Sequence, residues 1–175
     1  MSSINLIILG YLRGKEKSAY EMVKEFEGWN LSNWLKISSP SIYKNIIKLC
    51  GNGYLNSRIV KEGNMPEKTL YSINEKGKQY FDELMEESSK NVGQVYFEFN
   101  AFLNNIDDLP KEQRNQYLMN FNKNIKERKA VINSRYNIEK NSSEISRSGL
   151  LLLGLYDELF GMLEKWSEKF IEYYK

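Results

Sequence analysis

Between Ser38 and Leu55 the sequence reads SSPSIYKNIIKLCGNGYL, which packs hydroxyls, an amide and two ammonium groups into a short space: Ser39, Ser41, Tyr43, Lys44, Asn45 and Lys48. Side chains of these types grip phosphates and base edges. What is missing is as informative. From Gly28 to Lys61 there is no Asp or Glu, while Lys36, Lys44, Lys48, Arg58 and Lys61 all fall inside that window. The whole chain has a formal net charge of +2, but the first half carries the excess: 12 Lys+Arg against 9 Asp+Glu in residues 1–85, and 13 against 14 in residues 86–175. A DNA duplex presents one negative charge per ~1.7 Å of axis, so it repels carboxylates and exchanges its condensed counterions for lysines. An acidic protein surface makes the same demand. Charge alone therefore leaves two partners open, double-stranded DNA and an acidic protein docked by an interaction module.

Catalysis finds no footing. The chain has no histidine, which removes the commonest general base and metal ligand. There is no glycine-rich phosphate loop, nucleophile elbow or ligand-spaced cluster of Cys, Asp and Glu. Asp107–Asp108 and Glu86–Glu87 read as helix-end and surface charges. The expectation is a protein that is not an enzyme and needs neither metal nor cofactor. Cys50 is the single cysteine, so no internal disulfide forms and a reducing compartment is the natural setting. The N-terminal apolar run lacks the basic region and cleavage site of a signal peptide, and the longest apolar stretch, Leu150–Tyr156, is far too short to span a bilayer. A cytoplasmic protein with no membrane partner is expected.

These side chains must be carried on something, and the punctuation predicts a helix over 39–51. Ser39 or Ser41 suits the cap, Pro40 the first turn, and Gly51 and Gly53 the end. Ile42, Ile46 and Leu49 follow i, i+4, i+7 spacing and face a core, which leaves Tyr43, Lys44, Asn45 and Lys48 on the other sides. Upstream, INLIILGYL is a buried strand or helix, and its length and the following GKEK turn favour a helix. Ser18 and Glu21 form a capping box before AYEMVKEF, whose Tyr20 or Met22 joins Val23 and Phe26 on one face. Downstream, LNSRIVKE and KTLYSIN have strand composition and are joined by GNMP, a hairpin with Lys61 and Lys68 on it. Asn74 then caps EKGKQYFDELMEES.

Three helices, the third basic, followed by a two-stranded β-wing make a winged helix-turn-helix, placed at residues 1–89. Residues 90–175 read as helical throughout: NVGQVYFEFNAFLNNI, then a long helix opened by Pro110, then a final helix after the NSSE break. Leu118, Phe121, Ile125, Ile132 and Tyr136 on the first long helix, and Leu152, Tyr156, Leu159, Leu163, Trp166, Phe170 and Tyr173 on the second, repeat at near-heptad spacing. One hairpin does not bury two such stripes fully, so a homodimer is expected; the alternative is that the stripes pack on each other inside one chain. The fold class is thus mainly α, a winged helix-turn-helix followed by a helical dimerisation domain. Trp29, Trp34, Tyr96, Phe97, Phe99, Phe102 and Trp166 are either ordinary packing or the lining of a pocket for a flat aromatic effector, with Phe99 and Trp166 the positions to test. Cys50 reads as a small hydrophobe.

IILGYL, SAYEMVKEF, Trp34 ahead of SSPSIYKNIIKLCGNGYL, and LYSINEKG together resemble the PadR family of winged-helix regulators. The most specific elements are Ser41-Ile42-Tyr43 and the spacing Tyr71-x-Ile73-x-x-x-Gly77. The resemblance covers most of the chain, and the long tail is similar to the branch with a multi-helix C-terminal domain. It implies a homodimeric transcription factor, usually a repressor, sometimes released by a small molecule. The chain departs from the family at Ala19, where a glycine is usual, at Lys44, where a proline is common, and on the wing, where Lys68 and Glu67 stand in place of a richly basic run.

Overall fold

The computed structural model describes residues 2–33, 35–61, 63, 66–142 and 145–175. Trp34 and parts of the GNMP and NSSE segments lie outside the described residues. The chain forms two compact units, Met1–Val95 and Tyr96–Lys175.

In the first unit, helix α1 (Ser3–Tyr11) starts at Ser2, whose hydroxyl accepts from the Asn5 N–H at 3.4 Å. A two-residue strand β1 (Lys17–Ser18) leads into α2 (Ala19–Gly28). The expected capping box is present: the Glu21 N–H donates to Ser18 Oγ at 3.2 Å and the Ser18 N–H donates to Glu21 Oε2 at 2.7 Å. Met22, Val23 and Phe26 face inward, whereas Tyr20 is 62% exposed, which settles the alternative between Tyr20 and Met22. A 3-10 turn (Leu31–Asn33) precedes α3 (Ser39–Gly51), and β2 (Leu55–Val60), β3 (Lys68–Ile73) and α4 (Glu75–Lys90) complete the unit. Ile8, Leu9, Leu12, Met22, Phe26, Ile42, Ile46, Leu49, Leu55 and Leu84 form one core. Each such side chain stabilises the unit by roughly 1.5–3 kcal/mol through removal from water.

The sheet has three antiparallel strands in the order β1-β3-β2, one more than the two-stranded wing read from the sequence. Lys17 pairs with Tyr71 and Ser18 with Leu70, on the edge of β3 away from β2. Two residues are too few to show an alternating pattern, which is why GKEK read as a turn alone.

In the second unit, α5 (Asn100–Leu103) is followed by the long α6 (Lys111–Glu139) and α7 (Arg147–Tyr173). The helix expected over NVGQVYFEFNAFLNNI shrinks to the four residues of α5. Gly93 adopts φ +73, and Val92, Val95 and Tyr96 are exposed, so no buried face offsets the poor helix propensity of glycine and β-branched residues. Where α6 and α7 pack, Leu118, Ile125 and Ile132 of the first and Leu153 and Leu163 of the second are buried. A buried polar pair joins them: the Asn122 amide donates to Ser167 Oγ at 2.8 Å, and Ser167 donates to the Glu164 carbonyl at 2.9 Å. Lys126–Glu168 at 2.8 Å and Lys129–Glu164 at 2.6 Å flank that pair. Directional contacts of this kind fix which turn of α6 faces which turn of α7.

Candidate nucleic-acid interface

With Ile42, Ile46 and Leu49 turned into the core, the 100° step of the helix sends Tyr43, Lys44, Ile47 and Lys48 outward from α3. Tyr43 is 39% exposed and Ile47 66%. Lys44 and Lys48 are exposed and meet no carboxylate among the described residues. Lys36 is exposed in the segment leading to this helix.

The start of α3 is built differently from the expectation. Ser38, rather than Ser39 or Ser41, is the cap residue. Its N–H donates to Ser41 Oγ at 3.0 Å, and the Ser41 hydroxyl donates to the Ser38 carbonyl at 2.6 Å, so Ser41 closes the turn on itself. Ser39 donates to Glu27 Oε1 at 2.8 Å. The Asn45 amide donates to the Ser41 carbonyl at 2.8 Å, which leaves its oxygen as the group open to a partner. A carboxylate at a helix N-terminus is favourable because the peptide dipoles point their positive ends there. Glu27 therefore brings a negative charge to the start of α3 through Ser39.

The wing shows the same point. Arg58, the one arginine of the acid-free window, donates through Nε and Nη2 to Glu16 Oε2 at 3.0 and 2.5 Å. That hydrogen bond and charge hold Glu16 below the usual carboxylate range. The window is free of acid along the chain but not in space, because β1 and α2 bring Glu16 and Glu27 to it. Lys61 is exposed where β2 leaves the sheet. Lys68, opposite Val60 in the β2–β3 register, adds its charge to the environment of Glu21, whose carboxyl is held low first by the Ser18 backbone and hydroxyl and then by the lysines.

What positions the outward face of α3 is its far end. Gly53 takes φ +75; the Gly53 N–H donates to the Cys50 carbonyl at 2.9 Å and the Tyr54 N–H to the Leu49 carbonyl at 2.9 Å, a Schellman termination. Asn74 clamps this turn to α4. Its amide donates to the Gly53 carbonyl at 3.0 Å, while its oxygen accepts from the Gly77 N–H at 2.9 Å. Lys76 Nζ donates to the Asn52 carbonyl at 2.9 Å. A Cβ on Gly77 would lie 2.1 Å from the Tyr54 carbonyl oxygen, so the close approach of α4 to the end of α3 requires glycine there. Tyr71, set between β1 and β2 in the sheet, is half-buried, and burial followed by the nearness of Cys50 pushes its phenol up. The spacing Tyr71, Ile73, Gly77 is thus the joint between α3, the wing and α4.

The residues expected to line a dimer contact separate into two groups. Leu118, Ile125, Ile132 and Leu163 are buried in the α6–α7 hairpin of the same chain. Phe121, Tyr156, Leu159 and Phe170 are half-buried, and Leu152 (56%) and Trp166 (37%) remain open. Further apolar side chains, Leu151, Leu155 and Met162 among them, are exposed on α7. Phe99 and Trp166, the expected effector positions, pack in one aromatic cluster with ring centroids 6.1 Å apart, and Phe121 stands 5.2 Å from Phe99. Trp29 packs against Tyr11 and Phe26 in the first unit instead. Among the described residues no group of acids and cysteines is arranged to hold a metal, and no helix is long and apolar enough to cross a membrane.

Sequence reasoning passed over Ile47 because it stands beside Ile46 in an apolar pair, and the helical angle alone separates the buried one from the exposed one. Glu16 and Glu27 lie outside the basic window and carried no local signal.

A helix-turn-helix whose second helix turns cations and a phenol outward, followed in the chain by a β-hairpin, is a winged-helix arrangement. Residues 8–83 match the Transcriptional regulator PadR-like family, so the first unit carries a PadR-like domain. No curated protein matches it. Among solved structures it is similar to Bacillus subtilis PadR in complex with operator DNA, at 21% identity over 100% of this chain and 99% of that one, with a TM-score of 0.83. The same Bacillus subtilis protein in complex with p-coumaric acid aligns at 19% identity over 99% and 98%, with a TM-score of 0.77. The Vibrio cholerae virulence activator AphA aligns at 17% identity over 97% and 96%, with a TM-score of 0.70. At these identities the likeness is one of fold.

Proposed function

We propose that the protein is a cytoplasmic homodimeric repressor that reads a palindromic operator, with α3 in the major groove and the β2–β3 wing beside it. The observation that carries this reading is the outward face of α3, where Tyr43, Lys44 and Lys48 stand together with no carboxylate partner for either lysine among the described residues. A helix of this kind enters the major groove N-terminus first and places its side chains against base edges, while lysines reach the flanking phosphates. Lys36, before α3, and Lys61, at the end of β2, are exposed and add to the positive charge of the same unit. The exposed apolar side chains Leu151, Leu152 and Leu155 of α7 are what a second copy covers, since apolar surface gathered on one element favours association. The Bacillus subtilis PadR structures, one with operator DNA and one with p-coumaric acid, support both the target and a flat aromatic acid as the releasing effector.

The test is selection from a random DNA pool by the full-length protein, followed by the mass of the complex in solution. Enrichment of an imperfect palindrome with half-sites about 34 Å apart, bound by a dimer, is the expected result. A pool that stays random, or a protein that remains monomeric on DNA, overturns the reading and points to a module for an acidic protein partner.

A further inference from the structure

Ile47 is the outward residue of α3 that the charge argument does not use. Its side chain is 66% exposed, set among Tyr43, Lys44 and Lys48, whereas its neighbour Ile46 is 0% exposed. A single exposed apolar side chain is ordinary on a protein surface. The position makes this one informative. It lies on the face of the helix whose other members are two cations and a phenol, and nothing in its own unit covers it. Lysine, glutamine or glutamate would be better helix formers there and better solvated. The stability of the unit therefore gives no reason for isoleucine.

The major groove of DNA does give one. Each base pair presents a pattern of donors and acceptors there, and its one apolar feature is the C5-methyl of thymine. Lysines that hold phosphates carry no sequence information, so a helix relying on Lys44 and Lys48 needs other side chains to choose a sequence. We propose that Ile47 is a specificity-determining residue that packs against a thymine methyl in each operator half-site. This rests on the reading that α3 enters the major groove. Tyr43 supplies a polar contact on one side of it, and Lys44 and Lys48 anchor the helix on the other.

The test uses the full-length protein and the duplex obtained by selection, with each thymine replaced in turn by deoxyuridine, which deletes the methyl and changes nothing else. Affinity is read by fluorescence anisotropy. Wild type should lose about fourfold at one thymine per half-site, from roughly 0.8 kcal/mol per methyl-sized group buried, and about fifteenfold when both half-sites are changed. Ile47→Ala should bind the thymine duplex more weakly and be indifferent to that same replacement, and Ile47→Val should keep part of the dependence. Circular dichroism should show Ile47→Ala folded as wild type, because the side chain is exposed. If every replacement leaves wild-type affinity within twofold, or if Ile47→Ala keeps the full methyl dependence, the inference is wrong while operator binding stands. If selection returns no preferred sequence, the reading beneath it fails and the inference falls too.

Discussion

Replacing Gly77 by alanine should destabilise the first unit even though alanine is the better helix former. The added Cβ would stand 2.1 Å from the Tyr54 carbonyl oxygen and 2.8 Å from Ile73 Cγ1. Neither contact yields easily: the carbonyl belongs to backbone fixed by the Schellman end of α3, and Ile73 is paired with Leu55 in the sheet. Propensity returns at most about 1 kcal/mol. Forcing a methyl into a filled site costs roughly 1–3 kcal/mol. Moving α4 away instead breaks the 2.9 Å bond from the Gly77 N–H to Asn74, a cap that contributes about 1 kcal/mol. A 2.1 Å approach to backbone belongs at the upper end of that range, so after the propensity gain the net loss should be about 1–2 kcal/mol, a fall in melting temperature of roughly 5–15 °C for a unit of this size. Calorimetry on wild type, Gly77→Ala and Gly28→Ala measures it. Gly28, at the end of α2, has nothing within 4 Å of its added Cβ, so the same substitution there should be neutral or stabilising. If Gly77→Ala melts at or above wild type, the close approach of α4 to the end of α3 is not what fixes α3, and the account of that joint is wrong.

The other predictions concern charge and the aromatic cluster. Glu16→Gln should release Arg58 from its ion pair, tighten DNA binding and steepen its salt dependence; unchanged binding would place Arg58 away from the phosphates. The Glu21 carboxyl is lowered from 4.5 by the Ser18 N–H and hydroxyl, so the folded state binds this proton more weakly than the unfolded chain. The stability it contributes is present above pH 4.5 and is lost as pH falls through the lower folded value; chemical denaturation between pH 3 and 6 should show a flatter decline for Glu21→Gln, and identical slopes would remove the capping box from the acid response. Saturating p-coumaric acid should weaken operator binding by roughly 5–150-fold, the usual range of coupling between two sites, and Trp166→Ala should abolish that response. A response unchanged in Trp166→Ala would leave Phe99 and Trp166 as packing.

Much of the first unit is legible in the sequence because local rules and the tertiary fold agree there. The Ser18–Glu21 box, the i, i+4, i+7 apolar positions of α3 and the Asn74 cap each act within a single turn of chain, so each can be read where it stands. Contacts between distant segments could not be read this way. Glu16 reaches Arg58 across 42 positions and Glu27 reaches Ser39 across 12, and nothing in either local pattern announces the meeting. The second unit shows the opposite failure. NVGQVYFEFNAFLNNI has enough apolar residues to suggest a helix, but Gly93 and the unburied Val92 and Val95 leave it without a stabilising face. Leu118, Ile125, Ile132 and Leu163 do repeat as the sequence suggested, yet a periodic stripe does not say whether its partner is the next helix or another chain; here they close the α6–α7 hairpin.

The most direct test of the central claim is anisotropy of the full-length protein on its selected operator across a salt series, beside the variant Tyr43→Ala, Lys44→Ala, Lys48→Ala. With roughly 6–10 phosphate contacts per dimer, the logarithm of the wild-type binding constant should fall with the logarithm of salt at a slope of about −5 to −9. Loss of two lysines from each protomer should make that slope shallower by about 3–4, together with a fall in affinity at every salt concentration. A variant with the slope and affinity of wild type would mean that the outward face of α3 does not touch DNA.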